Sequence, residues 1–484
     1  MLDNLELLLM NKTCMDMQLL LVLAMTADLE NLLPRQEPPV EFITLTDGTV
    51  TKKPSVCAKT KKKIKLKKKL IKTASGYGSG IAFLIGFFLC LIFSSILFTV
   101  RTHSDCSRNA TDENNSKCKK RFVGYYSGHR KITEEQIEKL THIIFNGIQM
   151  QEDGKIVFGS YKKRQMFIDM KNKARKKESD VKLMFATDAH RLNHKLIAPV
   201  MTESKLRKIW ISSVSSFLLE QQLDGVEISY RWPITSEDKE NFAFFVRELR
   251  YELEKVDKLA KRKDPFIISI HSHPSYWTPE DVPLLDDILN YVDFFNVETD
   301  NFYVPVCTKN NMTGPQSPLY SLGNDNQSID DTMKAYTCRT MKPSQLNVIL
   351  PFRVTYWKIV SKNVTQADDL HIDVGGTHIS GYHFAWRDLS PLGWNSTQAS
   401  WHNVAKTPYI WHSNQRSFVT FENQRSLKIK MEYILSKNLG GVTVDTIDED
   451  DDSNTLLNAL TSMDACSGPK FQKEEIMYNC NKLA

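Results

Sequence analysis

The sequence predicts an α/β protein: a (β/α)8 TIM barrel with insertions, preceded by a single transmembrane helix. Three observations predict it. Eight short β-rich runs alternate with stretches of helical periodicity over roughly 360 residues. No glycine-rich phosphate loop follows the first run, which argues against an open doubly wound sheet. Residues 80–100 form an apolar run of 21 without a single charge. The 484 residues, 41% hydrophobic and 25% charged, suffice for a barrel with appendages and exclude global disorder.

Residues 1–79 read as a cytoplasmic tail. The net charge of +6 is misleading, because eleven lysines and no acid lie within 52–72; setting them aside leaves −5 for the rest. That distribution excludes a broad basic face for nucleic acid. Gly80–Val100 (GIAFLIGFFLCLIFSSILFTV) spans about 31 Å as a helix, the thickness of a bilayer core. The lysine run just before it keeps the N-terminus inside, a signal anchor of type II topology. The same run suits anionic lipid headgroups. A rival, Met17–Ala27, resembles the core of a cleavable signal peptide, but Asp3, Glu6 and Asp16 against a lone Lys12 leave it without a basic flank.

Residues 101–120 are polar and read as a stalk. Glycosylation sequons occur at Asn109, Asn114, Asn311, Asn326, Asn363 and Asn395, all beyond the span, and only at Asn11 before it. Cys106, Cys118, Cys307, Cys338, Cys466 and Cys480 likewise lie beyond it, an even set suited to disulfides in an oxidising compartment. Fifteen pairings are open; proximity favours 106–118, 307–338 and 466–480. No Cys/His spacing suggests a metal, since His271 and His273 alone are too few, and no cofactor is expected.

Residues 121–484 form the barrel domain. Its strands are expected at Phe122–Tyr126, His142–Gly147, Lys182–Ala186, Gly225–Tyr230, Phe266–His271, Phe294–Thr299, Asn347–Phe352 and Gly441–Ile447. Helices are expected at Glu203–Gln222, Glu237–Val256 and Glu422–Lys437.

Five stretches, in order, resemble the family 18 glycoside hydrolases: RFVGYYSG (121–128), LDGVEISYRWP (223–233), VDFFNVETDNF (292–302), TGPQSPLYS (313–321) and NLGGVTVDTIDEDD (438–451). The combination is most similar to the membrane-anchored, chitinase-like members of nematodes. The resemblance implies the barrel and a substrate-assisted chemistry. In that chemistry a Glu on the fourth strand protonates the glycosidic oxygen. An Asp two residues earlier steadies the cation formed with the substrate's own acetamido group. Alternate residues of a strand share a face, hence the D-x-D-x-E spacing.

Here Asp224 and Gly225 open the motif, but its three acidic positions hold Glu227, Ser229 and Arg231. A guanidinium cannot donate a proton at neutral pH, and its charge opposes an oxocarbenium-like centre. The family's sixth-strand tyrosine is lost within Glu298–Asn301, its eighth-strand tryptophan aligns with Asp445, and its third-strand Ser-x-Gly-Gly reads LMFATD (183–188). The resemblance therefore implies an inactive member. Strand alternation places Glu298, Asp300 and Asp445 inward with Arg231, and an unpaired buried cation is costly, so Arg231 is expected to pair with one of them as a plug in the barrel mouth.

The function expected is a catalytically inactive, chitinase-like membrane glycoprotein that binds a chitin-like glycan or a protein partner. The alternatives are a hydrolase with relocated acid and base groups, or a scaffold that binds no glycan. Trp232, Trp277, Trp386, Trp394 and Trp401 are candidates for stacking on sugar faces, with core packing as the competing role.

Overall fold

The computed structural model describes residues 120–481 except 177–178, 188–193, 230–234, 274–276, 306–312, 322–325, 359–379 and 465–471. Residues 1–119, on which the expected cytoplasmic tail, the apolar span 80–100 and the expected stalk fall, lie outside the described residues. So do Arg231, Trp232, four of the six barrel-side cysteines and four of the six sequons beyond the span. Among the described residues no helix is long and apolar enough to cross a membrane.

Eight parallel strands close into a barrel: β1 (Arg121–Tyr126), β2 (His142–Met150), β4 (Lys182–Thr187), β5 (Gly225–Ile228), β6 (Ile267–Ser272), β7 (Phe294–Val297), β8 (Leu346–Pro351) and β14 (Gly441–Asp445). Closure runs through β1, which pairs with β14 on one side (Gly124 beside Val444) and β2 on the other (Val123 beside His142). All eight coincide with the strands expected from sequence. A short β3 (Ile156–Phe158) folds back antiparallel on the extended end of β2.

Alternation decides what faces the axis. Val123, Tyr125, Ile144, Met184, Ala186, Phe294 and Ile349 form an apolar cluster inside the barrel. The opposite parity, including Phe145, Phe185, Val226, Ile268, Phe295, Val348 and Val442, joins the larger core under the helices. Those helices are α1 (Glu134–Glu138), α2 (Tyr161–Lys176), α3 (His194–Thr202), α4 (Ser204–Gln221), α5 (Ser236–Ala260), α6 (Val282–Leu289), α7 (Ile329–Thr340), α8 (Gln424–Ser436) and α9 (Thr455–Thr461). Helix α5 shows why they form where they do. Thr235 and Asp238 make a reciprocal capping box, and Phe242, Val246, Leu249 and Leu253 then bury one face at three- and four-residue spacing.

Between β8 and α8 the chain inserts a five-stranded antiparallel sheet, in the order β10 (Ser380–Ala385), β9 (Arg353–Lys358), β13 (Ser417–Thr420), β12 (Thr407–His412), β11 (Ser400–His402). The sequence announced insertions but not this sheet. Both faces are covered, one around Trp357, Tyr409 and Phe418, the other around Val354, Trp394 and Val419. A strand buried on both sides loses the polar–apolar alternation that would reveal it.

One disulfide is present among the described residues, Cys338–Cys480, with Cα atoms 5.4 Å apart. It corrects the pairings 307–338 and 466–480 favoured by sequence proximity. The C-terminal segment runs back across α8: Tyr478 and Tyr433 hydroxyls meet at 2.6 Å, Tyr433 donates to Asp330 Oδ1 at 2.8 Å, and Asn438 Nδ2 donates to Gln472 O at 2.9 Å. That docking, over a sequence separation of 142, brings Cys480 to α7.

Candidate functional site at the barrel mouth

Polar and ionisable side chains share the barrel interior with the apolar cluster. In the polar belt Glu227 is completely buried, and its Oε2 accepts from Ser269 Oγ (3.0 Å) and Asn296 Nδ2 (2.5 Å). Asn296 Oδ1 accepts from Thr443 Oγ1 (2.7 Å) and Asn347 Nδ2 (2.9 Å), and Asn347 Oδ1 from Arg121 Nε (3.0 Å). Burial pushes the Glu227 carboxyl above its ordinary range; His271 and the hydrogen bonds from Tyr125, Asn296 and Ser269 oppose it without prevailing.

Above this belt His271 bridges two groups. Its Nδ1 lies 3.1 Å from the Tyr125 hydroxyl, and its Nε2 lies 3.3 Å from Glu298 Oε2. Glu298 Oε1 accepts from Asn301 Nδ2 at 2.9 Å.

The outermost layer centres on Arg353. Its guanidinium donates through Nη1 to Asp445 Oδ2, and through Nη2 to Asp300 Oδ2 (2.6 Å) and Asn301 Oδ1 (2.9 Å). With the Gln316 amide turned to satisfy its neighbours, its oxygen accepts from Arg353 Nε at 3.0 Å and its nitrogen donates to Thr355 Oγ1 at 2.8 Å. Burial disfavours the Arg353 charge, yet Asp445 and Asp300 together hold its pKa above the usual arginine value. Asp300, 1% exposed, is pushed up to about 7: burial outweighs Arg353, and Asp445 and Glu298 add like-charge repulsion.

The structure thus brings Glu298, Asp300 and Asp445 together, as their parity in sequence implied. Asp300 and Asp445 are held by Arg353, a cation the sequence reading did not name; Arg231, expected to pair there, lies outside the described residues. The signal for Arg353 was available. Asn347, Ile349, Pro351 and Arg353 are every second residue, and the first two point into the barrel. Tyr125, Ser269, Asn296 and Thr443 were missed for a different reason, since an uncharged inward residue carries no mark in a sequence.

The opening of the fourth-strand motif is architectural. Asp224 Oδ2 accepts from the Leu183 amide at 2.8 Å, tying β5 to β4, and a Cβ on Gly225 would lie 2.3 Å from Ile267 O. Ser229 follows β5 and is half-buried.

The tryptophans correct an expectation. Trp277 and Trp394 are 3% and 5% exposed, the first donating to Ser272 Oγ at 3.0 Å and the second stacked on His412 at 4.1 Å. Neither offers a face to a sugar. Trp386 packs half-buried against the core, and the Arg425 guanidinium covers Trp401 at 3.9 Å. A large flat ring is the side chain that gains most from burial, and Trp277 and Trp394 are taken up by cores. The described sequons, Asn326 and Asn395, are both exposed. Among the described residues no group of His, Cys, Asp and Glu could hold a metal ion.

Residues 121–450 match the model of the glycosyl hydrolases family 18. The chain is 20% identical to putative chitinase 1 of Margaritifera margaritifera over 353 residues, 68% of this chain and 72% of that one. It is 26% identical to probable chitinase 10 of Drosophila melanogaster over 284 residues, 54% of this chain but 12% of that protein. Among solved structures, the immunomodulatory active chitinase TsES1 of Trichuris suis superposes with a TM-score of 0.62 at 19% identity, over 71% of this chain and 99% of that one. Human YKL-39, described as a pseudo-chitinase with retained chitooligosaccharide binding properties, gives 0.61 at 17% identity, over 71% and 99%.

Proposed function

We propose, from the premise that the chain belongs to the family 18 glycosyl hydrolases, that it is a catalytically inactive member acting by binding a chitin-like glycan or a protein partner at its barrel. The observation that carries this reading is the ion-paired plug. Asp300 and Asp445 meet Arg353 where the family's resemblance places sugar-contacting groups, and Arg231 stands in the sequence at the proton donor's position. A buried carboxylate already engaged by an arginine is poorly placed to deliver a proton to a substrate oxygen. YKL-39 offers a precedent within the fold for binding without turnover.

The same reading makes the chain a single-pass type II membrane glycoprotein with the barrel lumenal or extracellular. Its support is the uncharged span 80–100, the lysines before it, and the six sequons after it. A hydrolase with relocated groups is the alternative, and the raised pKa values of buried Asp300 and Glu227 speak in its favour.

The test uses the full-length chain in a mild detergent. Fluorogenic chito-oligosaccharides should yield no turnover above a blank from pH 4 to 8, while chitin beads should retain the protein and soluble oligomer should release it. Turnover by the unaltered chain overturns the inactive reading. No retention on chitin reassigns the ligand to a protein partner.

A further inference from the structure

Helix α2 (Tyr161–Lys176, YKKRQMFIDMKNKARK) carries seven Lys and Arg against a single acid, Asp169. Its +6 stands on a chain that totals −5 once the lysine run at 52–72 is set aside, so everything else amounts to −11. Packing does not require this. Only Phe167, Met170 and Ala174 of the helix are buried, and three cations crowd its first turn at the positive end of the helix dipole, where they are disfavoured.

That first turn sits on the rim of the mouth. Lys163 Nζ donates to Ser127 O just past β1, and Gly159 N donates to Gly147 O (2.9 Å) on β2. Arg387, from the insertion, donates to Asp448 O beside the same loop. The charges act on one place: His129 is lowered first by burial and then by Lys163, Lys162 and Arg387, with Asp448 opposing. Lys131, Lys162 and Arg164 are exposed, with no ion-pair partner among the described residues. The nearby acids are already engaged. Asp448 accepts from Ser127 N (3.1 Å), Ser127 Oγ (2.6 Å) and His129 N (2.9 Å), Asp450 caps α9 through the Leu456 and Leu457 amides, and Asp452 meets Arg130.

We infer that this rim, Lys131, Lys162, Lys163 and Arg164, binds an anionic polysaccharide, a sulfated or carboxylated glycan chain. The inference rests on the binding reading and adds a second ligand class at the rim, beside the chitin-like glycan or protein partner proposed for the barrel. A neutral sugar polymer is held by stacking rings, and the rim residues Lys131, Lys162, Lys163 and Arg164 offer none. A sulfated chain needs fixed cations spread along a rim, which is what α2 and its neighbouring loop supply.

The probe is heparin, with the full-length chain in detergent and the eleven lysines of 52–72 replaced by glutamine in every protein compared, so that this run does not itself hold the polyanion. The chain with its rim intact should bind heparin and lose affinity steeply with salt, and should bind desulfated heparin far more weakly. The variant Lys131→Gln/Lys162→Gln/Arg164→Gln should raise the heparin Kd about tenfold or more. A charge-matched control on other helices, Lys205→Gln/Lys208→Gln/Lys258→Gln, should change it less than about twofold. Equal thermal midpoints for both variants confirm intact folds, and the single Lys162→Gln, giving a partial loss, replaces the triple should that one unfold. Loss of affinity equal in the control, or no preference for sulfate, overturns the inference. Equal affinity for duplex DNA or phosphatidylserine vesicles also overturns it, in favour of an unselective polyanion surface. Retention on chitin without retention on heparin sinks this inference alone; hydrolysis of chito-oligosaccharides sinks the inactive reading and leaves heparin binding standing.

Discussion

Replacing Arg353 by Met removes the cation between Asp300 and Asp445 while keeping a side chain of similar length. At an effective dielectric constant of 20 and about 4 Å, each unit pair is worth about 4 kcal/mol, against a desolvation cost of several kcal/mol for the guanidinium. The pairs are therefore near break-even as built. Removing one partner is not, because it orphans two buried carboxylates, and the expected loss is about 3–5 kcal/mol at pH 7.5. The loss must depend on pH, with a sign set by Asp300. Its folded pKa is raised to about 7, above its unfolded value, so the stability linked to its bound proton is complete below about pH 4 and disappears as pH rises through 7. Without Arg353 that folded value climbs further. At pH 5 Asp300 is then neutral in the variant, and the deficit shrinks to about 2 kcal/mol. Thermal midpoints of the full-length chain should fall by about 4–7 °C at pH 7.5 and by about 3 °C at pH 5. The triple variant Arg353→Met/Asp300→Asn/Asp445→Asn should recover most of the loss. A midpoint for Arg353→Met within about 1 °C of wild type at pH 7.5, or a larger loss at pH 5, refutes the plug.

Two further outcomes follow from the same geometry. Glu227→Gln keeps an acceptor for Ser269 and Asn296 but cannot ionise; because burial raises the Glu227 pKa, wild-type stability falls with rising pH, so the variant should match wild type near pH 4 and exceed it increasingly toward pH 8 in urea midpoints. An equal pH slope for the two proteins removes Glu227 from the titrating set. Cys338→Ser opens a loop of sequence separation 142, which the chain-entropy relation values at about 5 kcal/mol as an upper bound, so the thermal midpoint should drop by several degrees and wild type under reductant should follow it. An unchanged midpoint in both cases means that the tyrosine pair Tyr433–Tyr478 suffices to dock the C-terminal segment.

All eight barrel strands were legible before any coordinates, because a buried β-strand writes its identity locally: a few consecutive β-branched and aromatic residues between turn formers are enough. The inward parity of Glu227, Glu298, Asp300 and Asp445 was legible for the same reason, since a period of two needs only neighbours along the chain. That residue 231 is an arginine is likewise a fact of residue identity, and the proposal that it stands in the place of the family's acid rests on the sequence alone. Three things were decided only in three dimensions. Arg353 had a readable inward parity, but its pairing with Asp300 and Asp445, 53 and 92 residues away, depends on which strand ends meet at the mouth. Cys338 met Cys480 because the C-terminal segment docks on α8, a contact with no local signature. Trp277 and Trp394 went into cores because burial of a ring depends on what packs against it, and packing partners are chosen by the closed barrel and its inserted sheet rather than by spacing along the chain.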